Sequence, residues 1–204
     1  MKEDISVIRD SMAALLPIYR EGRGNLTKII KSDGSEVLLN KNIKGVIKRL
    51  ARLYLVDLSS IVGEYGKILG RTNLIPIPLT QNLILVPLKT IAPLLPGDSA
   101  YGYFSFTAIK EIKGCQDKEN KSKVILRNGI KVGIISTQET VLKQLKNAEI
   151  VDKHYRIKHG MWFVDQTPFM NKPNKLGEEV TRKDLASIHL KLDQILTYLS
   201  HRSN

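Results

Sequence analysis

The sequence predicts an α+β fold, with a mainly antiparallel β core, flanking helices and a C-terminal helix. Two hairpins predict the core. Residues 74–88 form a run without a charged side chain, and residues 124–135 contain Asn128-Gly129, the strongest short-range hairpin signal. Stretches with helical periodicity surround both hairpins.

The uncharged run is a core hairpin rather than a membrane span. A spanning helix needs about 20 mostly apolar residues, whereas this run is shorter and contains Pro76, Pro78 and Pro87. Proline inside a helix removes a hydrogen bond and clashes with the preceding turn. We therefore predict strands at Leu74–Leu79 and Leu83–Leu88, with at least one irregular edge because strand prolines sit at edges, ends or bulges.

The elements before this hairpin alternate between helix and strand. Residues 4–19 predict an amphipathic helix with Ile5, Ile8, Met12 and Leu15 or Leu16 on one stripe. Strands at 26–30 and 36–39 flank a tight turn. A helix follows over Ile43–Val56, and then a flexible loop at residues 63–71, which holds Gly63, Gly66 and Gly70.

The elements after the hairpin end in a different kind of segment. Tyr101–Ile112 predicts one aromatic-rich strand, and Ser136 with Glu139 forms a capping box that opens a helix reaching to about Asn147. Residues 151–177 are basic and turn-rich. Thr181–His201 predicts a helix with an apolar stripe, which we assign to oligomerisation: Leu185, Ile188, Leu192, Ile195 and Leu199. Docking of this helix on the chain's own core remains the alternative.

The net charge of +12 is confined to three segments. Residues 41–71 carry seven basic and two acidic side chains, residues 110–131 carry seven and three, and residues 151–175 carry five and two. Such clustering favours a polyanionic partner. The candidate contacts are Lys44, Lys48, Arg49, Arg52, Lys67, Arg71, Lys121, Lys123, Arg127, Lys131, Lys153, Arg156 and Lys158.

The sequence lacks the common catalytic motifs. It has no GxxxxGK[ST], no GxGxxG after a strand, no HExxH and no paired-cysteine zinc spacing. Cys115 is the single cysteine, which indicates a reducing compartment. The acidic start and the lack of an apolar stretch after it predict no signal peptide. We therefore expect a cytoplasmic protein that is not an enzyme and holds neither a cofactor nor a metal.

The order of several segments resembles the ComK family of competence transcription factors. The resemblance lies in residues 27–33, in Asn82–Thr90, in Gly102–Ser105 with Ile109–Ile112, and in Lys123–Gly129 followed by the helix after Ser136. It extends over about residues 25–150, and the order of segments carries it rather than any one motif. It divides the chain into an N-terminal helical extension at 1–24, a ComK-like DNA-binding α+β core at 25–150, and a basic irregular segment with an amphipathic C-terminal helix at 151–204.

The resemblance implies a transcriptional activator that binds A/T-rich double-stranded DNA, largely through the minor groove, as a homodimer or higher homo-oligomer. It also implies a contact with RNA polymerase and no membrane partner. An alternative is an RNA-binding or translation-associated β module, in which Tyr101, Tyr103, Phe104 and Phe106 stack on bases. Strand alternation places these aromatics on two faces, so we expect at least one pair in the core.

Overall fold

The structure is a computed structural model, and it describes residues 5, 9–20, 24–93, 97–115, 117 and 119–160. The α+β class with an antiparallel core is confirmed. The elements within these residues are β1 Met12–Arg20, β2 Gly24–Lys31, β3 Glu36–Leu39, α1 Ile43–Leu53, α2 Leu58–Leu69, β4 Ile77–Thr80, β5 Leu83–Lys89, β6 Tyr101–Ser105, β7 Ile109–Gly114, β8 Ser122–Leu126, β9 Lys131–Ile134 and α3 Gln138–Lys158.

The strands form two antiparallel sheets. The larger has the order β3-β2-β1-β6-β5-β4, and the smaller has the order β7-β8-β9. Both predicted hairpins are present, as β4–β5 and β8–β9. Strand β4 lies at an edge, and its pairing shifts register between Pro78 and Thr80. The irregular edge predicted from the prolines is therefore confirmed.

The helix predicted over residues 4–19 is wrong for residues 12–19, which belong to β1. This strand lies between β2 and β6 in the larger sheet, so these residues are part of the core and not a helical extension. Residues 12–17 are all buried. A strand covered on both faces has a continuous apolar run, and such a run also satisfies the spacing of an apolar helix stripe.

The predicted glycine loop at residues 63–71 is a helix up to Leu69. Helix α2 begins after Asp57, whose carboxylate accepts a hydrogen bond from the backbone N–H of Ser60 at 2.7 Å. It ends at Gly70, which has a left-handed backbone with φ of 61°. A Cβ on Gly66 would lie 2.7 Å from the backbone oxygen of Arg71. Gly66 is therefore required by close packing rather than by flexibility.

Three further boundaries differ from the prediction. The single strand expected at Tyr101–Ile112 is split by a 3₁₀ turn at Phe106–Ala108, because β6 and β7 belong to different sheets. Helix α3 is capped by Thr137 rather than Ser136 and continues to Lys158 rather than Asn147. The start of the segment predicted to be irregular is therefore helical. The predicted C-terminal helix and its apolar stripe lie outside the described residues.

Strands β1 and β5 of the larger sheet are buried on both faces. Helix α1 packs its apolar side on one face, where Ile43, Val46 and Leu50 join a core cluster with residues of the sheet such as Ile29 and Leu85. The alternate residues of β5 point to the opposite face, and they are also buried: Ile84, Val86 and Leu88. Helix α3 contacts β5, β4 and β7. One face of α1 is thus fixed in the core and the other is left to solvent.

Candidate nucleic-acid interface

The outer face of α1 is a basic surface. The side chain of Asn42 caps the helix by accepting a hydrogen bond from the N–H of Gly45 at 2.8 Å. The helix then buries five apolar side chains. Helical periodicity places the four predicted cations on the opposite side, and all four are exposed: Lys44, Lys48, Arg49 and Arg52.

Lys44 and Lys48 oppose the stability of α1. The helix contains no acidic residue, and Lys44 lies in the first turn, where the helix dipole disfavours a cation. Lys48 is four residues from both Lys44 and Arg52, and like charges at that spacing cost a few tenths of a kcal/mol per pair. No described residue pairs with Lys44, Lys48 or Arg52. This arrangement is typical of a surface that meets a polyanion.

The second basic segment forms the outer face of the smaller sheet. Lys113 lies opposite Lys123, and Lys131 lies opposite Ile125, which shares a face with Lys123. Lys123 forms an ion pair with Asp117 at 2.7 Å. That hydrogen bond lowers the pKa of Asp117 and raises the pKa of Lys123. Lys121 and Lys131 are exposed, and their side chains have no partner among the described residues.

Arg127 lies apart from these lysines, in the turn between β8 and β9. Its Nε donates to the backbone oxygen of Thr107 at 2.7 Å, and its backbone N–H donates to Ala108 at 2.9 Å. The side chain of the next residue, Asn128, donates to the backbone oxygen of Lys31 at 2.8 Å. The turn is therefore fixed against both β2 and the β6–β7 bend, with the guanidinium held at its Nε edge.

A cleft of about 470 Å³ connects Arg127 with the end of α1. Its lining includes Tyr54, the residue that ends α1, together with Arg9, Asp10 and Arg127. The Tyr54 hydroxyl donates to Asp10 at 3.1 Å, and Arg9 pairs with the same carboxylate at 3.3 Å. Burial, reinforced by the bond to Asp10, raises the pKa of Tyr54 to about 12. The phenol is thus neutral at physiological pH.

The remaining predicted cations are largely paired. Lys153 pairs with Glu149 at 2.9 Å, and Lys158 of α3 pairs with Glu64 of α2 at 2.7 Å. Arg156 pairs with Asp152 at 2.8 Å. Their charge is therefore already balanced by nearby carboxylates.

Lys67 and Arg71 lie at the end of α2. Both are exposed and border an open groove with Gly63, Gly66 and Thr72. Arg71 donates to the side chain of Gln144 in α3 at 3.1 Å. Arg71 therefore connects two helices, whereas the side chain of Lys67 has no partner among the described residues.

The aromatic strand is not an exposed stacking platform. Phe104 and Phe106 are buried, which confirms that one aromatic pair belongs to the core. Tyr103 packs against the core cluster of α1, and its burial raises its pKa. Strand β6 also lies inside the sheet, between β1 and β5.

Two absences hold for the described part of the chain. No group of three or more His, Cys, Asp or Glu side chains in it is placed to hold a metal ion. None of its helices combines the length and the apolarity needed to cross a membrane. His154 lies edge-on to Tyr65, with ring centroids 5.5 Å apart.

The structure thus brings together residues that are far apart along the chain. The end of α1 and Arg127 share one cleft, although they belong to different basic segments. Sequence reasoning missed Arg9 and Tyr54 in that cleft. Arg9 lies in a stretch of balanced charge, and Tyr54 lies within the predicted helix Ile43–Val56 between apolar residues, so neither showed a signal of its own.

Comparison with known proteins gives one match. Residues 3–159 match the family described as ComK protein. No curated protein and no solved structure matches the chain significantly. The match begins at residue 3, whereas the resemblance noted in the sequence begins at about residue 25. With most of its length matched, the chain belongs to the ComK family, whose members are competence transcription factor-like DNA-binding regulators.

Proposed function

We propose that this protein is a transcriptional activator that binds A/T-rich double-stranded DNA with the exposed face of α1, largely from the minor-groove side. The observation that carries the proposal is the row Lys44, Lys48 and Arg52, which is exposed, unpaired within the described residues and unfavourable for the helix itself. In this proposal the protein acts in the cytoplasm as a homo-oligomer and contacts RNA polymerase.

Groove dimensions restrict how α1 engages DNA. The minor groove of B-DNA is about 6 Å wide, whereas an α-helix with its side chains is about 10–12 Å across. Helix α1 therefore lies across the mouth of the groove and reaches in with side chains only. A narrow A-tract groove has enhanced negative potential, which attracts inserted arginine and lysine. This favours A/T-rich sites without requiring a base-specific hydrogen bond.

The other basic residues take secondary roles in this proposal. Arg127 shares the cleft at the end of α1 and extends the cationic surface beyond the helix. Lys121, Lys131 and Lys67 remain available for phosphates. Lys153, Arg156 and Lys158 contribute less, because each already pairs with a carboxylate.

Oligomerisation supplies the specificity that the minor groove lacks. The minor groove separates little more than A·T from G·C pairs. Engaging two boxes at once raises affinity through effective concentration. The spacing of the boxes then contributes to the recognition of the site. We propose that the stripe from Leu185 to Leu199 provides the contact between protomers.

The test is a charge reversal on α1 with a matched reversal on α3. Lys48→Glu with Arg52→Glu changes the net charge by four, as does Lys143→Glu with Lys146→Glu, which alters two exposed lysines of another helix. Fluorescence anisotropy with an A/T-rich duplex should show at least about tenfold weaker binding for the α1 variant. The α3 variant should bind within about twofold of the unaltered protein.

Stability separates a lost contact from a lost fold. The α1 variant should melt within a few degrees of the unaltered protein. Lys48→Glu replaces a repulsion from Lys44 by an attraction at four residues' spacing, whereas Arg52→Glu keeps a like-charge pair with position 48 and places an anion in the last turn of the helix. Equal losses of affinity in the two variants would show a nonspecific charge effect and contradict the assignment of α1. Equal binding to A/T-rich duplex, G·C-rich duplex and single-stranded RNA would contradict the proposed preference.

A further inference from the structure

Leu55 is an apolar residue in an unfavourable place. Its side chain is 95% exposed, the highest value among the exposed large hydrophobic residues of the described chain. Its φ is +56°, in the left-handed region. A left-handed backbone costs an L-residue about 1–2 kcal/mol. Leu55 thus combines backbone strain with almost no burial to offset it.

The end of α2 shows what this position requires. At the end of α1, Leu55 N–H donates to Arg52 O at 3.2 Å and Val56 N–H donates to Ala51 O at 2.8 Å. At the end of α2, Gly70 N–H donates to Lys67 O at 3.3 Å and Arg71 N–H donates to Gly66 O at 2.8 Å. The two helices end in the same hydrogen-bonding motif, which strongly prefers glycine at the left-handed residue.

Helix α3 follows the same rule. It is followed by Gly160, which has φ of +71° and donates to Ile157 O at 3.1 Å. Leu55 is therefore the exception among the three helices of the described residues. Neither the backbone conformation nor packing within the described residues explains a leucine here.

The surroundings of Leu55 indicate what that is. It lies three residues beyond Arg52, one turn past the last cation of the exposed row, and its N–H donates to the Arg52 carbonyl. Many minor-groove proteins combine arginine and lysine contacts with an apolar side chain that is inserted as a wedge between base steps. The cations hold the phosphates on either side while the wedge opens a base step.

We propose that Leu55 is an apolar wedge that enters a base step of duplex DNA when α1 binds. The inference rests on the proposed function and adds a residue that deforms the DNA. A/T-rich sites suit it, because pyrimidine–purine steps such as TA unstack readily. Leu55 would then contribute to sequence preference through the deformability of the duplex.

Three substitutions separate the wedge from the backbone. Leu55→Gly and Leu55→Asn both suit a left-handed backbone and remove the apolar tip. Leu55→Met keeps an apolar side chain of similar size in the same place. Leu142→Gln, which alters an exposed leucine on α3, is the control for loss of exposed apolar surface.

The readouts are DNA affinity, base unstacking and melting temperature. A TA-containing A/T-rich duplex with 2-aminopurine at the step should brighten when the unaltered protein or Leu55→Met binds. Leu55→Gly and Leu55→Asn should bind about tenfold more weakly or worse and give little brightening. Leu55→Gly should nevertheless melt about 2 °C higher, because strain is relieved. Leu142→Gln should match the unaltered protein in binding and brightening.

Opposite changes in stability and DNA binding are the signature of the wedge. If Leu55→Gly binds and unstacks like the unaltered protein, Leu55 is no wedge, although DNA binding by α1 stands. If Leu55→Gly and Leu55→Asn both melt lower, the side chain is covered within the protein and the inference is overturned. If the unaltered protein binds no duplex at all, the proposed function fails and the wedge fails with it.

Discussion

Asp57 shows how much one exposed side chain can organise. One of its carboxylate oxygens accepts hydrogen bonds from the Ser59 hydroxyl at 2.7 Å and from the Ser60 N–H at 2.7 Å. These bonds lower the pKa of Asp57 to about 2, the bond from the Ser59 hydroxyl being the largest cause. The carboxylate therefore fixes the start of α2 and stays ionised well below neutral pH.

We predict a pH-dependent effect of Asp57→Asn, which keeps a capping oxygen but removes the charge. The native-state pKa is depressed from 3.8, so the stabilisation is fully present above about pH 4 and is lost as the pH falls toward 2. The melting temperature of the variant should be lower at pH 7, and the difference should shrink below pH 4. A difference that stays constant from pH 7 to pH 3 would contradict this role of the charge.

Two glycines should respond in opposite directions to alanine. A Cβ on Gly102 would lie 2.9 Å from the Thr90 methyl carbon and 3.0 Å from the backbone oxygen of Leu15, whereas one on Gly63 would meet nothing within 4 Å. We predict that Gly102→Ala lowers the free energy of unfolding by about 1–3 kcal/mol. Gly63→Ala, inside helix α2, should raise it by about 0.5–1 kcal/mol. Urea denaturation of both variants checks this, and a stabilising Gly102→Ala would contradict the close approach.

At the level of elements, sequence periodicity succeeded where burial is one-sided. Helix α1 has one apolar face and one basic face, and its prediction is confirmed with its end three residues early. The residues of strand β1 were predicted as a helix because both faces of the strand are buried, which removes the alternation of apolar and polar residues that identifies a strand. Most of helix α2 was predicted as a loop because of its glycines, although Asp57 and Gly70 are ordinary signals for the start and the end of a helix.

Lysines that already form an ion pair on their own helix should contribute less to DNA binding than unpaired ones. Lys48→Gln and Lys153→Gln each remove one positive charge from an exposed helix position, but Lys153 is paired with Glu149. We predict that Lys48→Gln weakens binding to an A/T-rich duplex roughly fivefold at 0.15 M salt. Lys153→Gln should weaken it by less than about twofold. Anisotropy titrations measure both, and the reverse order would move the interface to α3.

At the scale of the whole molecule, the proposed interface predicts a salt dependence. Each phosphate contact contributes about −0.9 to the slope of log affinity against log salt. If the four cations of α1 all contact phosphates, the slope for the unaltered protein should be about −3.6 or steeper. It should become shallower by about 2 in the variant with Lys48→Glu and Arg52→Glu. Titrations at salt concentrations from about 50 to about 300 mM measure the slopes of the two proteins. A slope near zero for the unaltered protein would contradict the electrostatic interface.

The predicted oligomerisation stripe gives a second test at this scale. Truncation at about Glu179 removes the residues from Leu185 to Leu199. We predict a lower mass by light scattering and a larger loss of affinity for paired boxes than for a single box. An unchanged mass together with a much lower melting temperature would show that the segment stabilises the fold and that the protomers meet elsewhere.

The sequence showed which segments are basic, but it did not show which basic side chains are paired or which of them lie close together in the fold. Local charge counts found the three basic segments, because charge is a property of composition. They did not reveal that Lys158 reaches Glu64 across 94 residues, or that Arg127 faces the cleft at the end of α1. The strain at Leu55 was equally hidden, since a backbone angle depends on how the helix ends in three dimensions.

The narrow join in the middle of the larger sheet has a consequence for how the protein is made. Strands β1 to β3 and strands β4 to β6 are each adjacent along the chain, and two residue pairs join the halves: Ala14 with Phe104 and Leu15 with Tyr103. On a ribosome adding about 5–20 residues per second, β1 emerges several seconds before β6. Throughout that time the nascent chain carries an apolar strand with an unpaired edge, a template for pairing with another chain. The rate at which the second half is synthesised therefore sets how long each new copy is exposed to aggregation.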